Sequence, residues 1–435
     1  MATIEKLAIS GGEPAVPVER HQRWPDIRPD DREAVLRVLD RGVLCGPNAP
    51  EITALQREWA AYVGAEHCLA LSSGTAALHC CLVAAGVDPG DEVIMPAFSF
   101  SATAMAAAHV GATPVFCDID PRTYNIDPGR IEERITERTR AIMPVHIHGL
   151  PADMEEIHAI AGRHGLAVVE DAAQSHGALY RGRKTGKLAF AAGFSLNATK
   201  NLSGGEGGLF VTDDEDAFRA ARRLSCFGED APPLEPDEFR AYESLGVGWQ
   251  YRSHELPAAF TRSQLGRLGE YNGTAQRNGA ILTAGLSKLG GIVPPHVPED
   301  RTHVYHKYRV RLDAAELGFD GPAVELRDRA VRALRAEGVQ AVLWHFDPLP
   351  AFPAFRRALA PWHRSRDAEP LRSWDPAEFP EAARLLDESL VLGSETAPLF
   401  VQEAELMHRY VEAVEKVLGN LDDVFSAPYE PIRTH

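Results

Sequence analysis

Short apolar runs alternate along the first half of the chain with longer stretches whose apolar residues fall three or four apart, a rhythm that predicts strands joined by helices. Residues 68–71, 92–95, 114–117, 140–145 and 167–169 read as strands, and residues 73–85, 102–109, 128–135 and 153–164 read as the helices between them. Connections of that length imply right-handed crossovers and a mostly parallel sheet buried on both faces. Upstream, Asp31, Ala34, Val35, Val38 and Leu39 have helical spacing with an acidic start, and Ile52, Leu55 and Trp59 mark one face of a second helix over residues 49–62. Residues 1–30, punctuated by Gly11, Gly12, Pro14, Pro17, Pro25 and Pro29, read as an extended arm.

The pattern changes near residues 265–275, where Leu265, Leu268 and Tyr271 lead into a long helix. Beyond it, strands over 302–312 and 339–344 and helices over 321–337 and 401–418 describe a smaller unit. The expected organisation is therefore an arm (1–30), a large α/β domain (31–268) and a smaller C-terminal α+β domain (269–435).

Composition narrows the function without naming it. Of 435 residues, 45% are hydrophobic and 25% charged, ordinary for a globular enzyme. A net charge of −17 argues against nucleic acid or an anionic membrane surface as a general partner, though it allows a local basic pocket. The six cysteines (Cys45, Cys68, Cys80, Cys81, Cys117, Cys226) have no framework spacing and no CxxC pair, so buried free thiols in a reducing cytosol are expected. No apolar run approaches ~20 residues, and the opening MATIEKLAIS lacks the apolar core of a signal peptide. The expected location is the cytoplasm.

Ligands in such sheets sit beyond the carboxyl ends of the strands, and chemistry-bearing residues stand there. Ser73-Gly74-Thr75 follows one strand and opens a helix, an arrangement that aims free N–H groups at one point and favours a phosphate; a plain tight connection is the other reading. Pro96-Ala97-Phe98-Ser99-Phe100 follows a second strand. Asp171 ends the apolar run 166–169, where an unpaired carboxylate is costly, so it is either a helix cap or the partner of a cation. Lys200 lies in Ser195-Leu196-Asn197-Ala198-Thr199-Lys200, just before a glycine cluster, and reads either as a solvated loop lysine or as an amine that condenses with an aldehyde. Taken together, a phosphate turn, an aromatic, a buried aspartate and a lysine, in that order on a parallel sheet, match pyridoxal phosphate part by part.

The stretches SSGTAALH, GDEVIMPAFSFSATA, TPVFCDIDPRTYNIDP, PVHIHGLPADM, VVEDAAQSHGA, FSLNATKNLSGGEGG and VGWQYRSHELPAA resemble the motif series of the DegT/DnrJ/EryC1/StrS aminotransferases, which modify sugars and aminocyclitols. The resemblance covers residues 30–265. It implies a fold type I transferase that works as a homodimer with active sites at the interface. By motif, Lys200 is the Schiff-base lysine, Asp171 holds the pyridinium nitrogen, Gln174 the ring hydroxyl oxygen, and Phe100 stacks on the ring. The backbone of Gly74, Thr75 and Ala76 and the hydroxyl of Ser195 take the phosphate. Gln250, where the family usually carries Asn, reaches the phosphate from the neighbouring subunit. Leu196 and Asn197 replace the commoner Phe and His.

The implied reaction is transfer of an amino group from L-glutamate or L-glutamine to a keto-sugar or keto-cyclitol, in secondary-metabolite or surface-sugar biosynthesis. Lys200 moves the proton, and Asp171 keeps the ring nitrogen protonated. The other readings are a dehydratase or aromatizing synthase of the same family, and a non-catalytic partner or regulator; a retained Lys200 argues against the dehydratase, whose lysine is replaced by histidine. The opening Leu7-Ala8-Ile9-Ser10-Gly11-Gly12-Glu13-Pro14 and Trp24-Pro25 lean toward the aminocyclitol and aminohydroxybenzoate-synthase branches. His146, His148, His303 and His306 have no companion carboxylate or cysteine cluster, so no metal is expected; His306 is a candidate substrate contact, and His176 a structural hydrogen-bonding residue. Residues 345–380, rich in Pro, Trp, Phe and Arg, read as a substrate-covering loop or a packed irregular segment.

Overall fold

Each element begins and ends where local chemistry dictates. The computed structural model describes residues 5–46, 49–229, 243–356, 375–426 and 428–432. Helix α1, Pro29–Arg41, opens with a proline whose missing N–H would have had no partner, and closes on Gly42 in the left-handed conformation (φ 73°). Helix α2, Pro50–Val63, has the same start and stops at Gly64 (φ 84°). The expected alternation follows: β1 His67–Leu71, α3 Gly74–Ala84, β2 Glu92–Pro96, α4 Ser101–Val110, β3 Thr113–Cys117, β4 Thr139–Ile142, α5 Met154–His164 and β5 Ala167–Asp171. A hairpin (β6 Leu179–Tyr180, β7 Arg183–Lys184) precedes β8 Ala191–Ser195 and β9 Gly208–Thr212.

One expected helix is absent. Residues 128–135 form two single 3-10 turns, Pro128–Arg130 and Glu132–Arg134. Asp127 accepts from Gly129 N at 2.9 Å, and a segment this short, containing glycine and three consecutive charges, cannot offset the cost of helix nucleation.

The seven strands β1-β9-β8-β5-β4-β2-β3 form one sheet. The β2–β3, β2–β4, β4–β5 and β5–β8 pairs are parallel, and β9 runs against both β1 and β8. The sheet is thus mostly parallel, and its carboxyl edge carries Ser73, Phe100, Asp171, Ser195 and the loop between β8 and β9.

A second sheet, in the order β10-β11-β13-β12, is antiparallel and is built from β10 Ile292–Val293, β11 Tyr308–Leu312, β12 Ala341–Val342 and β13 Ser389–Leu392. The strand expected over 302–312 is confined to β11. The backbone upstream of it bonds elsewhere: Thr302 N to Leu179 O of the β6–β7 hairpin and Val304 N to Gly149 O in the turn before α5. Residues 302–307 therefore bridge the two halves.

The apolar clusters do not follow chain order. Leu7, Val16 and Trp24 of the arm pack with Tyr271, Leu282, Tyr308 and Phe400 against the second sheet. Conversely, Leu349, Phe355, Phe379 and Leu385 pack with the strands of the first sheet. Leu349, Phe355 and Phe379 of the Pro- and Phe-rich segment are thus packed core, whereas Asp347, Pro353 and Ala354 are exposed; Trp362 and Trp374 lie outside the described residues. Four cysteines are buried, but Cys45 is exposed and Cys226 only partly covered, a correction to the expectation of uniformly buried thiols. Among the described residues no helix is long and apolar enough to cross a membrane.

Candidate active site

The carboxyl ends of β1, β2, β5 and β8 surround a cavity of about 540 Å³. Gly74, Thr75, Phe100, Asp171, Gln174, Ser195 and Lys200 all line it. One expected member, Ala76, is elsewhere, and Gln250, expected to reach a neighbouring subunit's site, lies outside this chain's own cavity. The Ala76 N–H is taken by Ser73 Oγ at 3.1 Å, closing the helix cap, so it is not offered to the cavity. Gln250 pairs with Cys226, and its Oε1 accepts from Arg252 N at 2.9 Å within the same chain.

One end of the cavity is a cradle of backbone. A Cβ on Gly74 would stand 2.8 Å from Ser195 Cβ, and one on Gly208 would stand 2.2 Å from the Ser73 carbonyl oxygen. Only glycine lets these two turns approach so closely, and the approach leaves the start of α3 facing the Ser195 hydroxyl.

Asp171 lies at the cavity wall, 3% exposed. Its Oδ2 accepts from Thr103 Oγ1 at 2.7 Å and its Oδ1 from Ala173 N at 3.1 Å; among the described residues it makes no ion pair. Its two hydrogen bonds offset only part of the cost of desolvating the carboxylate. Burial wins, and the carboxyl is held above its usual range despite Thr103, Ala173 and the Lys200 charge. It is a carboxylate in want of a cationic partner. Ser99 Oγ in turn lies 2.8 Å from Thr103 Oγ1, steadying the relay.

Lys200 occupies the loop between β8 and β9, pinned by Leu196 N to Gly207 O (2.8 Å), Ala198 N to Gly205 O (2.8 Å) and Gly204 N to Leu196 O (2.7 Å). Its Nζ makes no hydrogen bond or ion pair among the described residues. Desolvation, opposed by the negative charges of Asp171, Glu395 and Glu206, lowers its pKa to about 8. An amine so placed carries a substantial neutral fraction near physiological pH.

Gln174 is oriented by an unusual backbone. His148 sits at φ 56°, and its N–H donates to Gln174 Oε1 at 2.8 Å. That bond fixes the amide's oxygen and leaves its Nε2 donors for the cavity. Phe100 is 51% exposed, and its ring meets that of His345 at a tilt of 39° with centroids 6.0 Å apart; among the described residues no ring stacks flat on it. Asn197 donates to Glu206 Oε1 at 2.8 Å and accepts from Thr199, bracing the loop.

His306 also lines the cavity, with its Nδ1 buried and unpartnered. The other histidines are structural. His146 Nε2 meets Glu170 at 2.9 Å while its Nδ1 accepts from Ala152 N, and His303 Nδ1 accepts from Tyr305 N. His176 packs against Trp59 and Phe194, and burial, opposed by its contact with the Ser195 backbone, lowers its pKa to about 3, in keeping with a structural role. Thr103, Lys307, Trp344 and Glu395 escaped the sequence reading. Thr103, one helical turn past Ser99, was within reach of it; the other three come from the C-terminal third, where no local motif points to a site.

A model of the DegT/DnrJ/EryC1/StrS aminotransferase family matches residues 25–369. The spore coat polysaccharide biosynthesis protein SpsC of Bacillus subtilis is 34% identical over 402 residues, 92% of this chain and 97% of that protein. The L-glutamine:2-deoxy-scyllo-inosose aminotransferase of Streptomyces lividus is 39% identical over 342 residues, 77% of this chain and 79% of that one. The crystal structure of 3-amino-5-hydroxybenzoic acid synthase superposes with a TM-score of 0.80 at 30% identity, covering 91% of this chain and 98% of that one.

Proposed function

The chain belongs to the DegT/DnrJ/EryC1/StrS aminotransferase family, and on that premise we propose that it moves an amino group from L-glutamate or L-glutamine to a ketone on a sugar or cyclitol. It is an aminotransferase that depends on pyridoxal phosphate. The observation that carries the reading is the presence, in one cavity, of a buried carboxylate and a desolvated amine, neither of which makes an ion pair among the described residues.

The residues present fit the cofactor. The Gly74–Thr75 backbone and the Ser195 hydroxyl form the phosphate end. Asp171, kept in place by Thr103, supplies the charge that a protonated ring nitrogen needs. Gln174 offers Nε2 to the ring oxygen, and Phe100 covers one ring face. When bound, pyridoxal phosphate supplies an aldehyde that carries nitrogen and a ring that accepts electrons. Lys200 Nζ, in its neutral form, takes the proton from the donor's α-carbon, and in the second half of the exchange it returns a proton to the acceptor carbon that receives the nitrogen.

The chain acts as a homodimer in this reading. In support, Leu245, Val247 and Trp249 are 60%, 92% and 43% exposed on the stretch leading to Gln250, and Phe227, paired with Trp249, is 43% exposed. The acceptor class is decided by incubating the loaded enzyme with each amino donor and a panel of free cyclitol ketones and nucleotide-linked ketosugars, then weighing the products. Conversion of a ketone to an amine with either class identifies the acceptor. Retention of every ketone, with donor and cofactor present, sinks the proposal.

A further inference from the structure

Lys307, Trp344, His306 and Glu395, none of them on the turns of the phosphate cradle, also line the cavity. Lys307 is 8% exposed, and its ammonium stands 5.5 Å from the centre of the Trp344 ring. It makes no hydrogen bond through Nζ among the described residues, and its single ion-pair contact is Glu395 Oε1 at 3.9 Å, on a side chain that is 59% exposed. Contacts of that length to a solvated carboxylate contribute little. Behind it, Arg309 is 2% exposed and bonds to His148 Nε2 (3.0 Å), Ser389 Oγ (2.6 Å) and Trp344 O (3.0 Å), with no carboxylate partner among the described residues. Of these two buried cations, only Lys307 has a carboxylate near it among the described residues, and that one is distant and exposed. A lysine is rarely buried unless paired, so this end of the cavity lacks an anion.

From this geometry we infer that Lys307, walled by Trp344, is the subsite for the carboxylate of the amino donor, and that Glu395 holds its place until the donor arrives. The inference rests on the aminotransferase reading above and deepens it. Lys307 shares the cavity with Lys200, and its charge is felt from there; burial together with the Lys200 charge lowers its pKa to about 8, Glu395 opposing. A carboxylate bonded to the carbon that gives its proton to Lys200 must bind beside Lys200. A nucleotide diphosphate, several bonds removed from the reacting carbon, would be anchored farther away. The Trp344 face favours a cation held against it and shields the pair from water, which strengthens the charge-assisted bond.

The test is calorimetric titration of glutarate, a dicarboxylate that cannot transaminate, into the cofactor-loaded wild type and the variants Lys307→Met, Lys307→Arg and Glu395→Gln, with UDP as a second titrant. Lys307→Met should weaken glutarate binding about tenfold or more, and Lys307→Arg should retain most of it. Glu395→Gln should bind glutarate as tightly as the wild type or up to about fivefold tighter, because the competing carboxylate is gone. A lysine that serves only to hold the fold would make Lys307→Met and Glu395→Gln equally weak. That result, unchanged glutarate binding in Lys307→Met, or loss of UDP binding alone, would overturn the assignment. Retained cofactor absorbance in Lys307→Met shows an intact cofactor end. Glutarate binding requires no turnover, so failure of this subsite is distinguishable from failure of the aminotransferase reading.

Discussion

The indole N–H of Trp24 donates to the carbonyl of Ala198 at 2.6 Å, two residues before Lys200. Its backbone N–H donates to Thr396 O at 2.8 Å, beside Glu395. The N-terminal arm therefore ties the lysine loop to the turn that faces Lys307, and Leu7 and Trp24, which suggested a branch of acceptors, do their work by packing outside the cavity. Trp24→Phe keeps the edge-on packing against Tyr271 and Phe400 but loses the indole bond. It should cost about 1 kcal/mol of stability and slow the donor half-reaction; thermal melts and stopped-flow absorbance read the two effects separately.

Thr103→Val removes the hydroxyl that donates to Asp171 Oδ2. With one hydrogen bond fewer, the carboxyl moves further above its ordinary range, and its charge is less available to a ring nitrogen. Cofactor affinity, measured by titrating pyridoxal phosphate into apoprotein, should fall about ten- to a hundredfold, corresponding to a charge-assisted bond of about 1.5–3 kcal/mol. Equal affinity in the variant would remove Thr103 from the site.

Gly74→Ala places a methyl 2.8 Å from Ser195 Cβ and 3.1 Å from Ser195 Cα. Both contacts involve atoms fixed to the backbone, so the cradle must open. Phosphate-end affinity should fall at least about tenfold while Lys307, which belongs to neither turn of the cradle, still binds glutarate. Dialysis against pyridoxal phosphate followed by absorbance is the check.

The pH dependence of apoprotein stability has a definite sign. Lysine in the unfolded chain titrates near 10.5, whereas Lys200 and Lys307 are lowered to about 8 by burial. Below about pH 8 both states are protonated and the folded state bears the full desolvation penalty. Between about 8 and 10.5 the unfolded state binds more protons, so these two groups add stability as pH rises. Melting temperatures of the wild-type apoprotein and of Lys200→Met/Lys307→Met should converge as pH climbs through this window; curves that stay parallel would contradict the burial of the two amines.

Gln250 belongs to a neighbour's site in the proposed dimer. Mixing Lys200→Ala subunits with Gln250→Ala subunits should then regenerate one complete site per hybrid dimer. Activity recovered in the mixture, above that of either variant alone, is the expected outcome; a strictly additive mixture would place Gln250 outside catalysis.

The strand–helix rhythm and the residues at strand ends were legible in the chain because each depends on neighbours a few positions away. Apolar spacing determines α1–α5 and β1–β5, and a parallel sheet must present Gly74, Asp171 and Ser195 on one edge. Lys200 was visible as an amine beside glycines, but not its lowered proton affinity, which arises from walls contributed by distant segments. The turns at 128–135 escaped because nucleation cost outweighs a weak apolar pattern there. Only the tertiary structure brought Lys307, Trp344 and Glu395, separated by more than a hundred residues from Lys200, to the same cavity, and diverted Ala76 to the Ser73 cap. Burial and electrostatic balance are properties of the assembled walls. Local sequence specifies which groups can react, and packing decides which of them lack a partner.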